Sequence, residues 1–249
     1  MYQPNTPSSQ IITNKVLTGK EFNEKYKDKL DTFIKFMNDN NIHHNFKYKI
    51  GLNIDTLPFN PSEQCKQGGL YFTSFDYFTD YFIGYGNYFC LVTIPDDALV
   101  YEENTRWKAN KIIINKRIHI EDYVSTLSHD IIMKLIQQNG QILEYVKEQT
   151  PELCIEAVKQ DGDALHYVKE QTPEICMEAV KQKGYVLKYV KEQTPEICME
   201  AVKHKGLALQ YVKKQTYDIC MVAIKQDERA LKYVNEHILK IIKQNNYNR

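Results

Sequence analysis

Tyr145-Val146-Lys147-Glu148-Gln149-Thr150-Pro151-Glu152 decides the reading of this chain, because the same eight residues stand again from Tyr167 and from Tyr189. The tyrosine recurs with a changed continuation at Tyr211 and Tyr233, always 22 residues on (145, 167, 189, 211, 233). Identity of this length at one fixed period marks a repeat architecture. The segment Asp130–Glu144 fits the same frame, with Ile132 in the place of Cys154, Gly140 in that of Gly162 and Leu143 in that of Leu165. Five units result, beginning near residues 129, 151, 173, 195 and 217.

Each unit predicts a pair of short helices. Thr150-Pro151-Glu152 supplies a hydroxyl N-cap, a proline at the first helical position and a carboxylate near the positive end of the helix dipole. Cys154, Ala157 and Val158 form one apolar stripe at helical spacing. Gly162 is expected to close this helix in a left-handed conformation. Ala164, Leu165 and Val168 then line the inner face of a second helix, before Thr172-Pro173 opens the next unit. A pair this small buries its stripe only by stacking on neighbours. The last unit deviates as an end cap should: Tyr217 replaces the proline, Glu228 replaces the glycine, and an apolar helix containing Ile238, Leu239, Ile241 and Ile242 follows.

Positions that change while the frame stays fixed are the candidates for recognition. The residue after the glycine is Asp163, Tyr185, Leu207 or Arg229, and the residue before the tyrosine is His166, Lys188, Gln210 or Lys232. These eight are the candidate binding face; solvent-facing tolerance is the competing explanation. The cysteine column Cys154, Cys176, Cys198 and Cys220 suits burial better than metal, since zinc needs ligands converging on one point. No cofactor and no metal is expected.

Lys plus Arg and Asp plus Glu both number 32. The balance gives no overall attraction to nucleic acid or anionic membrane, and a protein partner is expected instead. No apolar run is long enough to span a bilayer. Residues 1–11 read as a disordered tail without a secretory signal. Together with repeat-spaced cysteines too far apart to pair, this points to a soluble protein in a reducing compartment.

Residues 12–125 read as an α+β module rich in Tyr and Phe. Glu21–Asn38 shows helical spacing through Phe22, Tyr26, Leu30, Phe33 and Ile34. Phe46–Ile54, Gly69–Thr73, Tyr88–Ile94, Leu99–Tyr101 and Lys111–Ile118 read as strands, and Thr73–Tyr81 as a short capped helix. Gly68-Gly69 is a tight turn without the spacing of a phosphate loop. His43-His44 lacks a third metal ligand nearby, Cys65 and Cys90 are isolated, and Trp107 is expected to be packed. The organisation is thus an α+β head followed by an all-α helical-repeat solenoid of five units over 129–238. A capping helix and frayed end occupy 239–249.

Several ordered motifs carry a resemblance. Phe46-Lys47-Tyr48, Gly51-Leu52-Asn53-Ile54-Asp55, Phe59-Asn60-Pro61, Gly68-Gly69-Leu70-Tyr71-Phe72-Thr73 and Val92-Thr93-Ile94-Pro95-Asp96-Asp97-Ala98 resemble the head module of mimivirus-type ankyrin-repeat proteins. The 22-residue units are similar to short helical repeats of unknown function abundant in giant viruses, and depart from ankyrin in length and in lacking a Thr-Pro-Leu-His signature. The resemblance implies host cytoplasm or virion and brings no catalytic residues. The function expected is a non-enzymatic interaction scaffold. Two alternatives stand beside it. One is a virion structural protein. The other is an ADP-ribosyltransferase-like head, because Gly69–Thr73 resembles the glycine-x-tyrosine-phenylalanine strand of those folds; His44 and Glu102 are its nominal candidates.

Overall fold

The computed structural model describes residues 16–61, 67–81 and 84–247. The expected tail over residues 1–11 and Cys65 lie outside them. The chain divides into two compact units with the boundary between Asp122 and Tyr123.

The first unit is an antiparallel sheet. Its strands are β1 (Val16–Thr18), β2 (Phe33–Met37), β5 (Gly51–Ile54), β6 (Leu70–Ser74), β7 (Tyr88–Thr93), β8 (Leu99–Glu102), β9 (Trp107–Ala109) and β10 (Lys111–His119). Their order across the sheet is β1-β8-β9-β6-β2-β7-β10-β5, and β3 (Ile42–His43) with β4 (Phe46–Lys47) forms a separate hairpin. Helix α1 (Gly19–Lys25) follows β1 through a capping box, Thr18 accepting from the Glu21 amide while Glu21 accepts from the Thr18 amide. This reciprocal pair satisfies two orphan donors at the helix start. Short helices α2 (Phe78–Tyr81) and α3 (Ile120–Val124) complete the elements.

The helix expected over Glu21–Asn38 is corrected. Its first third is α1, a 3₁₀ helix occupies Lys27–Thr32, and Phe33–Met37 is the strand β2 in the middle of the sheet. All five β2 residues are buried between β6 and β7, so the strand shows no alternation, and a short buried run cannot be told from a helix by period alone. Phe22, Tyr26, Phe33, Phe72 and Trp107 then meet in one aromatic cluster, with Phe33 and Trp107 centroids 5.1 Å apart. Trp107 is packed there, 7% exposed.

The second unit is the repeat stack. Helices α4 (His129–Gln138), α5 (Pro151–Gln160), α6 (Pro173–Gln182), α7 (Pro195–His204) and α8 (Tyr217–Gln226) each run ten residues. Thr150, Thr172, Thr194 and Thr216 cap four of them by accepting from the third helical amide. The second element of each unit is a six-residue 3₁₀ helix rather than an α-helix, as in Gly162–Tyr167 and Gly184–Tyr189. The inner face is as the stripe predicts, with Leu153, Cys154, Ala157 and Val158 all buried on α5.

The reading of the repeat glycines also changes. None of Gly140, Gly162, Gly184 or Gly206 has a positive φ. A Cβ there would instead meet the next unit's helix: 2.4 Å from the Ala157 carbonyl oxygen at Gly140, 2.5 Å from that of Ala201 at Gly184, and 2.3 Å from that of Ala223 at Gly206. Glycine is required for close approach of backbones, not for handedness. Glu228, at the fifth such position, is exposed. The period would place the next helix at 239, yet α9 (Glu236–Tyr247) starts three residues early; Asn248 and Arg249, at the end expected to fray, lie outside the described residues.

Gly184→Ala should therefore destabilise the stack by about 1–3 kcal/mol, the ordinary cost of overpacking. Glu228→Ala should stay within roughly 0.5 kcal/mol of wild type. Urea unfolding of the full chain checks both.

Candidate functional site

The 3₁₀ helices are held by a column of half-buried glutamines. Gln171 Nε2 donates to the Leu165 carbonyl of its own unit (3.5 Å) and to the Tyr189 carbonyl of the next (3.0 Å). Its Oε1 accepts from the Lys191 amide (3.0 Å) and from the Cys176 thiol (3.6 Å). Two donors and two lone pairs are thus all used. Gln149 and Gln193 repeat the pattern in full, and Gln215 makes the same bonds to Tyr233, Asn235 and Cys220. The cysteine column is buried as expected and in addition donates to this column; burial pushes the Cys154 and Cys220 thiols up to about 11. A parallel row of lysines binds carbonyls one unit back, Lys169 to Lys147 and Lys191 to Lys169.

On this scaffold the eight variable residues occupy the second and fifth positions of four successive 3₁₀ helices. Residues three apart eclipse each other in a 3₁₀ helix, so Asp163 pairs with His166, Tyr185 with Lys188, Leu207 with Gln210 and Arg229 with Lys232 on one strip. The Gln210 side chain donates to the Leu207 backbone carbonyl (3.0 Å). His166, Lys188, Gln210 and Lys232 are exposed, whereas Asp163 and Leu207 are half-buried.

These residues are not idle. His166 meets Tyr167 edge-on and, across the unit boundary, lies tilted against Tyr189 (centroids 4.9 Å apart). Lys188 and Lys232 lie over the Tyr189 and Tyr233 rings at 4.5 and 4.8 Å. Asp163 accepts from Lys183 (2.7 Å), Lys205 sits 5.6 Å from the Tyr185 ring, and Arg229 grips Asp227 with two bonds. The equivalents in the first unit are Gln141 and Glu144, so the strip passes from acidic (Glu144, Asp163) to basic (Arg229, Lys232). The glutamines and the capping residues Asp161, Lys183 and Lys205 are missed when only variable positions are sought. The signal for the glutamines is an unchanging polar residue inside a packing frame.

The nominal head residues are not brought together. Glu102 on β8 accepts from Lys25 (2.7 Å) and Tyr26 (2.8 Å), with β9 and β6 between its strand and β2. His44 sits at positive φ in the turn between β3 and β4. The head does hold a small cleft lined by Ile34, Lys35, Phe36, His43, Tyr71, Phe72, Thr73, Tyr81, Tyr85 and Arg106. Lys35 is 3% exposed, its Nζ donating to the Tyr71 carbonyl (2.8 Å) and lying 4.4 Å from the Tyr48 ring centre. Burial without a carboxylate partner lowers this amine to about 7. Among the described residues no group of three or more His, Cys, Asp or Glu could hold a metal ion, and no helix is long and apolar enough to cross a membrane.

The domain of unknown function DUF4116 matches residues 150–193 and 194–239, each match spanning about two of the 22-residue units. A protein of Acanthamoeba polyphaga mimivirus named as ankyrin repeat protein R229 is 31% identical over 96 residues, covering 35% of this chain and 31% of that protein. The resemblance to giant-virus repeat proteins is borne out by this similarity. The chain thus covers about a third of the length of the curated relative it matches. No solved structure matches.

Replacing Gln193 by Leu removes the partner of the Lys213 amide and of the Tyr211 carbonyl, the Leu187 carbonyl keeping the Val190 amide, and should cost roughly 2–4 kcal/mol. Lys188→Ala should stay within about 0.5 kcal/mol, and urea unfolding separates the two. The lysine predicts a pH effect of definite sign. Between about 7, where folded Lys35 titrates, and its ordinary 10.5, the unfolded chain binds one more proton. Stability of the wild type should rise with pH across that window. In Lys35→Met the rise should be smaller, as read from denaturant midpoints at a series of pH values.

Proposed function

We propose that the repeat stack is a recognition scaffold and that the strip on its 3₁₀ helices binds a protein segment of opposite polarity. The observation that carries this reading is the division of labour within each unit. Gln, Cys, Thr, Gly and the buried aliphatic residues maintain the stack, while the second and fifth 3₁₀ positions change identity from unit to unit without disturbing it. A side chain at one of those positions contributes to a surface, not to the frame. The tyrosine column beneath adds half-buried aromatic area, which serves interfaces well.

The sign change along the strip supports a protein partner over a nucleic acid. A phosphate backbone presents one charge throughout and calls for a continuous basic track. Here Glu144 and Asp163 occupy one end. A segment with basic residues facing them and acidic residues facing Arg229 and Lys232 complements the surface, and charge pairing of this kind fixes orientation and register. Scaffolding by repeat surfaces also fits the similarity to a protein named for ankyrin repeats.

The head then serves as an attachment or partner-binding module, and the chain acts without catalysis of its own at the strip. Host cytoplasm or virion is the proposed setting.

Affinity capture from infected amoebal lysate tests the reading with full-length protein as bait. Wild type should retain a partner at fixed stoichiometry. The double variant Arg229→Glu with Lys232→Glu should lose at least about tenfold in affinity, equivalent to 1.4 kcal/mol, with an unchanged unfolding midpoint. Equal retention by both baits, or retention of RNA alone, would sink the proposal.

A further inference from the structure

Lys35 is buried at the centre of the head sheet, in a strand whose neighbours on both sides are paired, and nothing in the recognition scaffold uses it. Its amine has three close neighbours: the Tyr71 carbonyl oxygen at 2.8 Å, His43 Nδ1 at 3.5 Å and the Tyr48 ring at 4.4 Å. A neutral amine has two N–H groups and one lone pair. With one N–H on the Tyr71 carbonyl and, in the tautomer that leaves His43 Nδ1 an acceptor, the other on His43, the lone pair is what remains for a ligand.

The titratable and charged groups around Lys35 come from several elements. His43 comes from β3, Tyr48 from the segment after β4, Tyr71 from β6 and Cys90 from β7, directly opposite Lys35 in the strand register. Tyr81, Tyr85 and Arg106 line the same cleft. Burial pushes the Cys90 thiol up to about 11, so it is neutral and offers no counter-ion. Burial also keeps His43 neutral, lowered to about 3. No carboxylate lines the cleft among the described residues. An amine that titrates near 7 in such surroundings presents a neutral, nucleophilic form from neutral pH upward and has no ion-pair partner in the cleft.

The cleft limits what can reach it. Its volume of about 50 Å³ is that of a few non-hydrogen atoms, given that one water needs roughly 10–15 Å³ on the same measure. Ile34, Phe36 and Phe72 give it apolar walls, with His43, Tyr81, Tyr85 and Arg106 among its polar groups.

We propose that Lys35 is a nucleophilic amine that captures a short-chain aldehyde in this cleft as an imine. The nitrogen lone pair forms a bond to the carbonyl carbon as the C=O π pair moves to oxygen. His43 Nδ1 relays the two protons shed by nitrogen to that oxygen in turn, the first giving the carbinolamine hydroxyl and the second the departing water. Water leaves, the C=N bond forms, and neither partner is oxidised or reduced.

The test uses full-length protein with propanal and cyanoborohydride near neutral pH, followed by peptide mapping in a mass spectrometer. Lys35 should acquire the reduced propyl group first, at least about tenfold faster than exposed lysines such as Lys134 and Lys188. Its rate should level off once the pH passes about 8. Lys35→Met should lose the fast-labelled site and keep the wild-type near-ultraviolet circular dichroism. Labelling of Lys35 no faster than of Lys134, or only after denaturant is added, would overturn the proposal. The wild-type map decides the matter even if the variant fails to fold.

Discussion

A glutamine side chain with all four of its hydrogen-bonding valences occupied is the constraint from which the repeat half follows. Each such residue ties a carbonyl of its own unit to a carbonyl and an amide of the next, so the distance between units is fixed by one side chain's reach. The 3₁₀ helix leaves carbonyls unpaired at its end, and the glutamine satisfies them where water would otherwise be needed. Backbones drawn this close leave no room for a Cβ between Gly184 and the Ala201 carbonyl. The thiol beside the glutamine completes the shell with a weak donor that is itself apolar enough to be buried. Glutamine, glycine and cysteine therefore recur together because one geometry requires all three.

The same constraint explains how the stack ends. Gln215 still makes its forward bonds, but the amide it meets belongs to Asn235, whose own side chain accepts from the Ile238 amide and starts α9. Starting three residues early, α9 is out of frame with the other helices, and Glu228 stands exposed where a glycine would otherwise be needed. The end is made by shifting a helix start and not by adding a different element.

Much of this was legible in the sequence, and what was not has physical causes. Period, unit count, helix caps and buried stripe all follow from residues whose roles are local: Thr150, Pro151, Cys154, Ala157. The 3₁₀ character of the second element was not legible, because Ala164, Leu165 and Val168 lie at spacings compatible with either helix type over six residues. Gly162 was misassigned because a glycine after a helix serves handedness more often than close approach, and only the neighbour's backbone distinguishes the two. In the head, β2 was hidden by its own burial: a strand covered on both faces loses alternation, and the run Phe33–Met37 continued an aromatic spacing begun in α1. Lys35 within that run gave no signal at all, since a lysine is ordinarily exposed. The eight strip positions were found by variation alone; that they lie on one edge depends on the eclipsed geometry of a 3₁₀ helix, which an α-helix would have broken by turning residue i+3 some 60° aside.

That last point ties scaffold to recognition. Because the strip side chains make few bonds that the stack requires, substitutions there act on a surface whose spacing is set elsewhere, and effects at well-separated units combine independently. A partner is then read one unit at a time, each 3₁₀ helix contributing a pair of side chains at a fixed interval. Where neighbours do interact, as His166 does with Tyr189 and Asp163 with Lys183, the contact crosses a unit boundary. Those two contacts, with Lys205 against the Tyr185 ring at the next boundary, are where identity in one unit constrains the next, and two of the three lie at the acidic end. At the basic end Arg229 is held by Asp227 of its own unit. A change of partner is therefore less restricted at Arg229 and Lys232 than at Asp163 and His166, and the strip has one end built for variation and one that holds its neighbours in place.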